Sequence, residues 1–209
     1  MQRHLKIEPV SPGHSLSAHL REQTTTAHKQ LESTSMLHDL VEPTLQLPNY
    51  RQIIERKWRA YHQWQQQLDE IFMAIELAPQ WRINLHVEAL SRELTADLQL
   101  NDDRTLPEPL EISGMADYLG HAYVFQGASL GASFILRALC SNQNLQVEGF
   151  YFFNVLSEDL LKGQSWVSWK QQLDALALEH SLNPADVGAA ANRCFAHIQR
   201  WFQCPARCN

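Results

Sequence analysis

A histidine on the predicted first helix has the neighbours that an imidazole needs to bind a metal ion. In the stretch LREQTTTAHKQLE, His28 shares one helix face with Ala27 and Leu31. Glu32 lies one turn later, where its carboxylate can accept the other ring N–H and strengthen the imidazole as a ligand. Arg21 lies two turns earlier on the same side, within reach of a ligand carboxylate that lies over that face. Each residue also has a plainer interpretation, as a hydrogen-bonded core histidine or a solvated surface charge.

Three glycines occur in a second apolar helix, predicted over the stretch GHAYVFQGASLGASFILRAL. Each interior glycine destabilises a helix by roughly 1 kcal/mol relative to alanine. At about 100° per residue, Gly120, Gly127 and Gly131 fall on one narrow stripe of this helix. A stripe without side chains either lets another helix pack closely or lets a broad, flat ligand lie against the backbone. The glycines alone do not distinguish these two functions.

The elements that position these residues are predicted to be helices, because alternating apolar runs bounded by hairpin dipeptides are almost absent. Helical periodicity predicts about seven helices, over approximately residues 15–32, 48–75, 80–100, 113–140, 150–161, 165–180 and 183–202. The predicted N-caps are Ser15 or Ser17, Ser113, Ser165 and Asn183. We therefore expect an all-α fold with one domain over residues 16–203, a flexible leader over 1–15 and a tail over 204–209.

Composition narrows the class of protein further. The chain has 209 residues, of which 44% are hydrophobic and 19% charged, with a net charge of −6. A chain with this charge and no dense basic run is not expected to bind nucleic acid. No apolar run approaches the ~20 residues that span a bilayer, and the first twenty residues lack the apolar segment of a signal peptide. These features predict a cytoplasmic protein that does not associate with membranes.

The two candidate motifs together resemble the heme oxygenase family. The first is R-x6-H-x2-LE on the first helix, and the second is YVFQGASLGA, far along the chain. The resemblance is greatest to the bacterial branch that supplies biliverdin to phytochrome photoreceptors. The second motif of that branch resembles Y-V-x-E-G-S-x-L-G-G, which Tyr123, Val124, Gly127, Leu130 and Gly131 match.

The resemblance implies a heme site between two helices. In that family, a histidine on a proximal helix binds the heme iron, and the backbone of a kinked distal helix lies over the porphyrin. His28 then corresponds to the axial ligand of the iron, and Gly127 and Gly131 to the distal glycines. Arg21 corresponds to a basic residue that holds a heme propionate.

The resemblance also implies supporting residues, an activity and partners. Glu32 corresponds to a residue beside the proximal histidine, and Lys170 is the candidate for a second propionate contact, from the helix after Ser165. The implied activity is oxidative cleavage of heme, as substrate and cofactor, to biliverdin, carbon monoxide and iron with O₂. The implied partners are an electron donor (a ferredoxin, a flavodoxin or a reductase) and a bacteriophytochrome that accepts the biliverdin.

Three residues depart from the family pattern. Gln126 replaces an acidic residue, Ala132 replaces the second glycine of the terminal pair, and Ala128 stands where better-known members carry an aspartate that orders water. The candidates for ordering water here are Ser129, Ser133, Tyr123 and His121. These departures leave a second function open, that of a heme-binding or heme-sensing protein that does not degrade heme. Cys204 and Pro205 agree with it, since they resemble the short heme-responsive motif of some regulatory proteins.

Two other classes of enzyme share an all-helical scaffold. A diiron oxidase needs several carboxylates with histidine partners from separate helices, and the candidates here are Asp117, His121, Glu88 and His86. The sequence contains no E-x-x-H motif and is short of carboxylates for such a site. A thiaminase-like hydrolase needs a cysteine nucleophile, and Cys140 is the cysteine expected near the core, with no evident base beside it.

Overall fold

The computed structural model describes residues 15–95, 105–147, 149–162 and 165–203, and within these residues the chain is helical without a β-strand. The helices are α1 (Leu16–Thr34), α2 (Leu47–Ala74), α3 (Val87–Thr95), α4 (Met115–Ala128), α5 (Ala132–Ser141), α6 (Tyr151–Lys162), α7 (Trp166–Glu179) and α8 (Pro184–Phe202). Short 3₁₀ turns lie at Met36–Val41, Pro79–Trp81 and Ser129–Gly131. The predicted all-α class is confirmed. The number of described helices exceeds seven because the predicted glycine helix is divided into α4 and α5.

Most predicted helix starts agree with the structure, because their capping side chains satisfy free backbone N–H groups. Ser15 accepts a hydrogen bond from the N–H of Ala18, and Ser165 accepts one from the N–H of Ser168. Asn183 caps α8 in the same way. The predicted leader 1–15 and tail 204–209 lie outside the described residues, except for Ser15, which is the N-cap of α1.

The prediction that Ser113 caps the glycine helix is wrong. That helix begins at Met115, and the backbone N–H and hydroxyl of Ser113 both donate to Oδ2 of Asp117, at 2.9 and 2.5 Å. The side chain of Asp117 in the first helical turn therefore holds the preceding loop.

The predicted helix over residues 80–100 begins later than expected. Residues 82–86 are not helical, and α3 starts at Val87. The backbone N–H of Ile83 donates to the hydroxyl of Tyr118, and that of Leu85 donates to Oε1 of Gln65. Side chains from α4 and α2 thus satisfy backbone donors that a helix would use internally. Residues 96–100 lie outside the described residues.

The core is built around α8, which packs against both α1 and α4. Gly120 lies where α4 meets α8. A Cβ atom at this position would lie 2.6 Å from both the Cβ of Ala190 and the carbonyl oxygen of Val187. The two helices therefore approach backbone to backbone, and Gly120 serves close helix packing, not a ligand.

A second group of helices, α2, α3 and α6, is joined by a buried polar network. The hydroxyl of Tyr50 on α2 donates to the carboxylate of Glu93 on α3, which also accepts the backbone N–H of Phe152 on α6 at 3.0 Å. Burial raises the pKa of Glu93 above its ordinary value. These bonds connect three helices, of which α2 and α6 line the candidate cavity described below.

The stretch Met115–Ser141, which contains α4 and α5, is long and apolar enough to cross a membrane by length and composition alone, with a mean hydropathy of 1.2. The expectation that no apolar run approaches this length is therefore wrong by this measure. A core helix of a globular protein meets the same criterion. Only part of this stretch is buried, chiefly in α4, which lies along α8 and buries residues such as Tyr118 and Leu119.

His121 makes the stability of the fold dependent on pH. It is fully buried on α4, its Nδ1 lies 2.8 Å from the carbonyl oxygen of Asp117, and its Nε2 has no hydrogen-bond partner in the described part of the chain. Burial lowers the pKa of His121 to about 4, against an ordinary value of 6.5. The unfolded chain therefore binds this proton more readily than the folded chain does.

We expect the free energy of unfolding to fall as the pH is lowered from about 6.5 towards 4, by up to about 1.4 kcal/mol per pH unit from His121. His121→Asn keeps a donor for the carbonyl of Asp117 and removes the titration. Urea unfolding between pH 7 and pH 5, above the range of ordinary carboxylates, should therefore show a flatter pH dependence in this variant. Equal slopes in the variant and the parent would contradict the assignment.

Candidate functional site

A cavity of about 510 Å³ lies between the side chains of α1, α4 and α6, with further walls from α2, α7 and α8. This volume is in the range of sites for small molecules. Its lining is mostly apolar and aromatic and includes Leu31, Tyr61, Phe125, Phe152, Phe153, Leu156, Trp166, Phe195 and Ile198. The sequence-predicted residues His28, Arg21, Glu32, Tyr123, Gly127 and Ser129 also line it. The fold therefore brings residues of both motifs to one site.

His28 stands at the edge of this cavity with one ring nitrogen paired and the other available. Its side chain is 57% exposed, and its Nδ1 lies 3.4 Å from Oε2 of Glu32. Its ring packs edge-on against Phe195 of α8, with centroids 5.8 Å apart. Since no described residue pairs with Nε2, that nitrogen is free to bind a metal in the cavity. An imidazole oriented through its second nitrogen by a carboxylate is a common arrangement in metal sites.

Two exposed cations on α1 lie at the open rim of the cavity. Arg21 and Lys29 both line it, and no carboxylate lies within 4 Å of either among residues that the structure describes. Lys170 is not among the lining residues. Its Nζ lies 5.9 Å from the ring centroid of Trp166, which does line the cavity.

The sequence analysis did not identify Lys29 or Lys57, which also line this cavity. A signal for Lys57 was present, because it falls at helical spacing between the buried residues Ile53 and Tyr61 of α2. A lysine on the apolar stripe of a helix indicates a buried cation that interacts with a partner in the interior.

Opposite α1, the glycine helix is interrupted next to the cavity. Helix α4 ends at Ala128, the turn Ser129–Gly131 is 3₁₀, and α5 begins at Ala132. The hydroxyl of Ser129 donates to the carbonyl oxygen of Gln126 at 2.6 Å. A serine that bonds the preceding turn and glycines without side chains both weaken regular α-helical hydrogen bonding.

The two remaining glycines of the stripe differ in their surroundings. Gly127 lines the cavity, and a Cβ atom there would lie 3.7 Å from the ring of Trp166, an ordinary contact. Gly131 is not among the lining residues, although Leu130 and Ala132 on either side of it are. A Cβ atom at Gly131 would meet no atom within 4 Å in the described structure.

The candidates for ordering water are divided between the cavity and the core. Ser129 and Tyr123 line the cavity. Burial raises the pKa of Tyr123 above its ordinary value. His121 and Ser133 do not line the cavity. The hydroxyl of Ser133 is 2.7 Å from that of Ser157 on α6.

A larger cavity, of about 640 Å³, lies beside the non-helical residues 82–86 and shares Asn84 with the first. Its lining includes His86, Glu88 and Arg92 but no residue of either sequence motif. We therefore place the candidate site in the smaller cavity, where the residues that can do chemistry converge.

The structure does not support the two other classes of enzyme. Among the described residues, no group of three or more His, Cys, Asp or Glu side chains could hold a metal ion. Asp117, a candidate for a diiron site, forms an ion pair with Arg193. The expectation that Cys140 lies near the core is wrong, because Cys140 is exposed and Cys194 is the buried cysteine. Burial raises the pKa of the Cys194 thiol, which disfavours the nucleophilic thiolate.

The chain is all-α, and its apolar cavity lies between a histidine-bearing helix and an interrupted, glycine-bearing helix. This is the architecture expected of a protein that holds a flat ligand between two helices. The family model described as heme oxygenase matches residues 14–204. The chain therefore belongs to the heme oxygenase family.

The solved structures similar to this chain include two heme oxygenases. One is the heme oxygenase from Leptospira interrogans, with a TM-score of 0.65 and 18% identity, covering 90% of this chain and 98% of that chain. The other is heme oxygenase-1 from the cyanobacterium Synechocystis sp. in complex with heme, with a TM-score of 0.62 and 14% identity, covering 90% of this chain and 91% of that chain. At these identities the likeness establishes the fold. A search of curated proteins by sequence gives no significant match.

Proposed function

We propose that this protein binds heme between α1 and the α4–α5 segment and degrades it oxidatively to biliverdin, carbon monoxide and iron. The observation that carries the proposal is the pairing of His28 with Glu32 at a cavity whose opposite wall contains the backbone of Gly127. Membership of the heme oxygenase family supports it. Bound heme supplies the oxygen chemistry, and the protein supplies binding, orientation and a dry enclosure.

The residues on the α1 side fit heme in both chemistry and position. Nε2 of His28 binds the iron, and Glu32 holds the ring through Nδ1 so that Nε2 points at the ligand. The heme propionates remain at the exposed rim, where Arg21 and Lys29 bind them as charge-assisted partners. Lys170, next to Trp166, is a further propionate contact in this proposal.

The residues on the α4–α5 side determine how closely the backbone approaches the heme. Gly127 and Gly131 carry no Cβ, so that the turn between them can lie against the porphyrin. Ala128 and Ala132 each contribute a methyl group to the cavity wall. Ala128 stands where an aspartate is found in better-known members, and Ala132 stands where a glycine is found. The hydroxyls of Ser129 and Tyr123 are the groups that we assign to hold ordered water near the iron.

One observation favours a second function, that of a heme-binding or heme-sensing protein without turnover. The side chains at Ala128 and Ala132 offer no polar group to the cavity, and the hydroxyl of Ser129 is bonded to its own helix. A protein of this kind would keep heme intact under reductant and oxygen. The Cys204 and Pro205 dipeptide, which the second function would use, lies outside the described residues.

We propose further that a ferredoxin, a flavodoxin or a reductase supplies the electrons. The sequence motifs support a place in the branch that delivers biliverdin to a bacteriophytochrome. The composition supports a cytoplasmic location without nucleic acid or membrane partners.

Product analysis tests the proposed function. The hemin complex is supplied in air with a ferredoxin and its reductase, and the pigment is then extracted and separated. We expect a biliverdin isomer, together with carbon monoxide trapped by added myoglobin. A matched sample without electron donor should retain intact heme. Recovery of unaltered heme from the complete reaction would instead assign the protein to the second, non-degrading function.

A further inference from the structure

Lys57 is a buried cation in the wall of the heme cavity. Its side chain is 8% exposed, and it lies on the core-facing stripe of α2. It lines the cavity together with Tyr61 and Phe152. The roles proposed above for His28, Arg21 and Lys29 do not use it.

The contacts of Lys57 are aromatic and hydroxyl groups. Its Nζ donates to the hydroxyl of Tyr61 at 3.0 Å. The same atom lies 4.5 Å from the ring centroid of Tyr61, 5.1 Å from that of Phe152 and 5.8 Å from that of Phe202. An ammonium group has three N–H donors, and only one of them has an acceptor in the part of the chain that the structure describes.

No carboxylate in the described ranges lies within 4 Å of Lys57, although a buried acid is near it in sequence. Glu55 is 6% exposed, but its carboxylate pairs with Arg59 at 2.5 Å. The chain therefore neutralises Glu55 with Arg59 and leaves Lys57 without an acid partner.

Burial of the Lys57 ammonium group without a counter-charge destabilises the protein unless a ligand supplies an anion. Aromatic rings offset part of the desolvation of an ammonium group, by about 0.5–2 kcal/mol. A buried charge without a counter-charge remains less favourable than an apolar side chain of similar size. The missing partner is therefore an anion that enters the cavity from solution.

The position of Lys57 inside the cavity distinguishes this anion from the carboxylates of heme. The carboxylates of heme need the exposed rim, where Arg21 and Lys29 are available. Lys57 lies inside, and its partner Tyr61 packs edge-on against Phe125 of α4, with ring centroids 6.0 Å apart. Lys57 is thus connected through Tyr61 to the α4 wall of the cavity, across from the histidine helix.

We propose that Lys57 forms a small-anion subsite on the α4 side of the bound heme, separate from the rim cations that hold the propionates. This inference rests on the proposed heme site. The ammonium group attracts a small anion to the face of the heme opposite His28 and donates a hydrogen bond to it, with Tyr61 holding the lysine in place.

The test compares an anionic and a neutral iron ligand, sodium azide and imidazole, titrated into the hemin complex and followed by absorption. The variants are Lys57→Met, which keeps the length of the side chain, and Lys57→Arg, which keeps the charge. We expect Lys57→Met to weaken azide binding at least about tenfold and to change imidazole binding less than about threefold. Lys57→Arg should retain most of the azide affinity. The matched control Arg137→Met, which removes an exposed cation of α5 that does not line the cavity, should leave azide binding unchanged.

The stability of the protein without heme gives a second readout. Because methionine removes an uncompensated buried charge, we expect Lys57→Met to melt at the same temperature as the parent or higher. If this variant does not fold, Lys57→Gln provides the same comparison of azide with imidazole.

The following outcomes would overturn the proposal. Unchanged azide affinity in Lys57→Met excludes the subsite. Equal losses for azide and imidazole show a general disturbance of the cavity, not anion binding. Weaker hemin binding with unchanged azide affinity makes Lys57 a propionate contact. Failure of the parent protein to bind hemin would be seen before any azide is added, and it would overturn the proposed function together with this inference.

Discussion

Replacing His28 with alanine should abolish heme degradation while the helical fold survives. The side chain is more than half exposed and contacts Glu32 and the edge of Phe195, so its loss leaves no buried cavity. The loss of Nε2, in contrast, removes the proposed bond to the heme iron. We expect the degradation rate to fall by more than about 100-fold, with an unchanged far-ultraviolet circular dichroism spectrum.

The matched control is Glu32→Gln, which keeps a hydrogen-bond acceptor beside Nδ1 but removes the charge. This variant should retain the axial bond and lose at most about tenfold in rate. Added imidazole should restore part of the heme spectrum of His28→Ala, because it can occupy the space of the missing ring. A His28→Ala variant that degrades heme at the parent rate would show that another residue binds the iron.

Replacing Gly120 with alanine should destabilise the protein without heme by about 2–4 kcal/mol. The added methyl group would lie 2.6 Å from a backbone carbonyl oxygen and 2.8 Å from a backbone nitrogen of α8. Backbone atoms of a packed helix cannot move aside as a flexible side chain can, so α4 and α8 must separate. Urea unfolding of the protein without heme measures this change directly.

Gly131→Ala is the matched control for Gly120→Ala. A methyl group at Gly131 meets no atom of the described structure within 4 Å, and alanine favours the helical conformation. We expect its free energy of unfolding to lie within about 1 kcal/mol of that of the parent. If Gly120→Ala is as stable as Gly131→Ala, the backbone contact between α4 and α8 is absent in solution.

The glycine stripe shows what a sequence pattern can and cannot establish. The pattern placed Gly120, Gly127 and Gly131 on one stripe and left two interpretations open. The structure assigns helix packing to Gly120 and places Gly127 at the cavity. The difference depends on where α8 crosses α4, and the register of two distant helices cannot be read from the local sequence of one of them.

Local rules predicted most of the helices and their caps. Ser15, Ser165 and Asn183 were identifiable because a capping side chain acts on backbone groups two or three residues away. The non-helical segment 82–86 before α3 was not predictable in this way. Its backbone donors bond to Tyr118 and Gln65, which come from other helices, so tertiary contacts replaced the helical hydrogen bonds.

The candidate site was predictable to a similar extent. The pairing of His28 with Glu32 follows from i, i+4 spacing on one helix, and the structure shows it. The convergence of both motifs on one cavity required the resemblance to a known family. Lys57 was overlooked because its significance depends on the absence of a nearby acid, which appears only when α2, α6 and α8 are packed together.

A hemin titration followed by reduction in air tests the central claim most directly. We expect a saturable Soret band at one heme per chain, which collapses after reductant is added, while the broad red absorption of biliverdin appears. Heme that is merely reduced and reoxidised, with its Soret band retained, would contradict the proposed degradation and identify a binding or sensing protein. The absence of any Soret band would contradict the heme site itself.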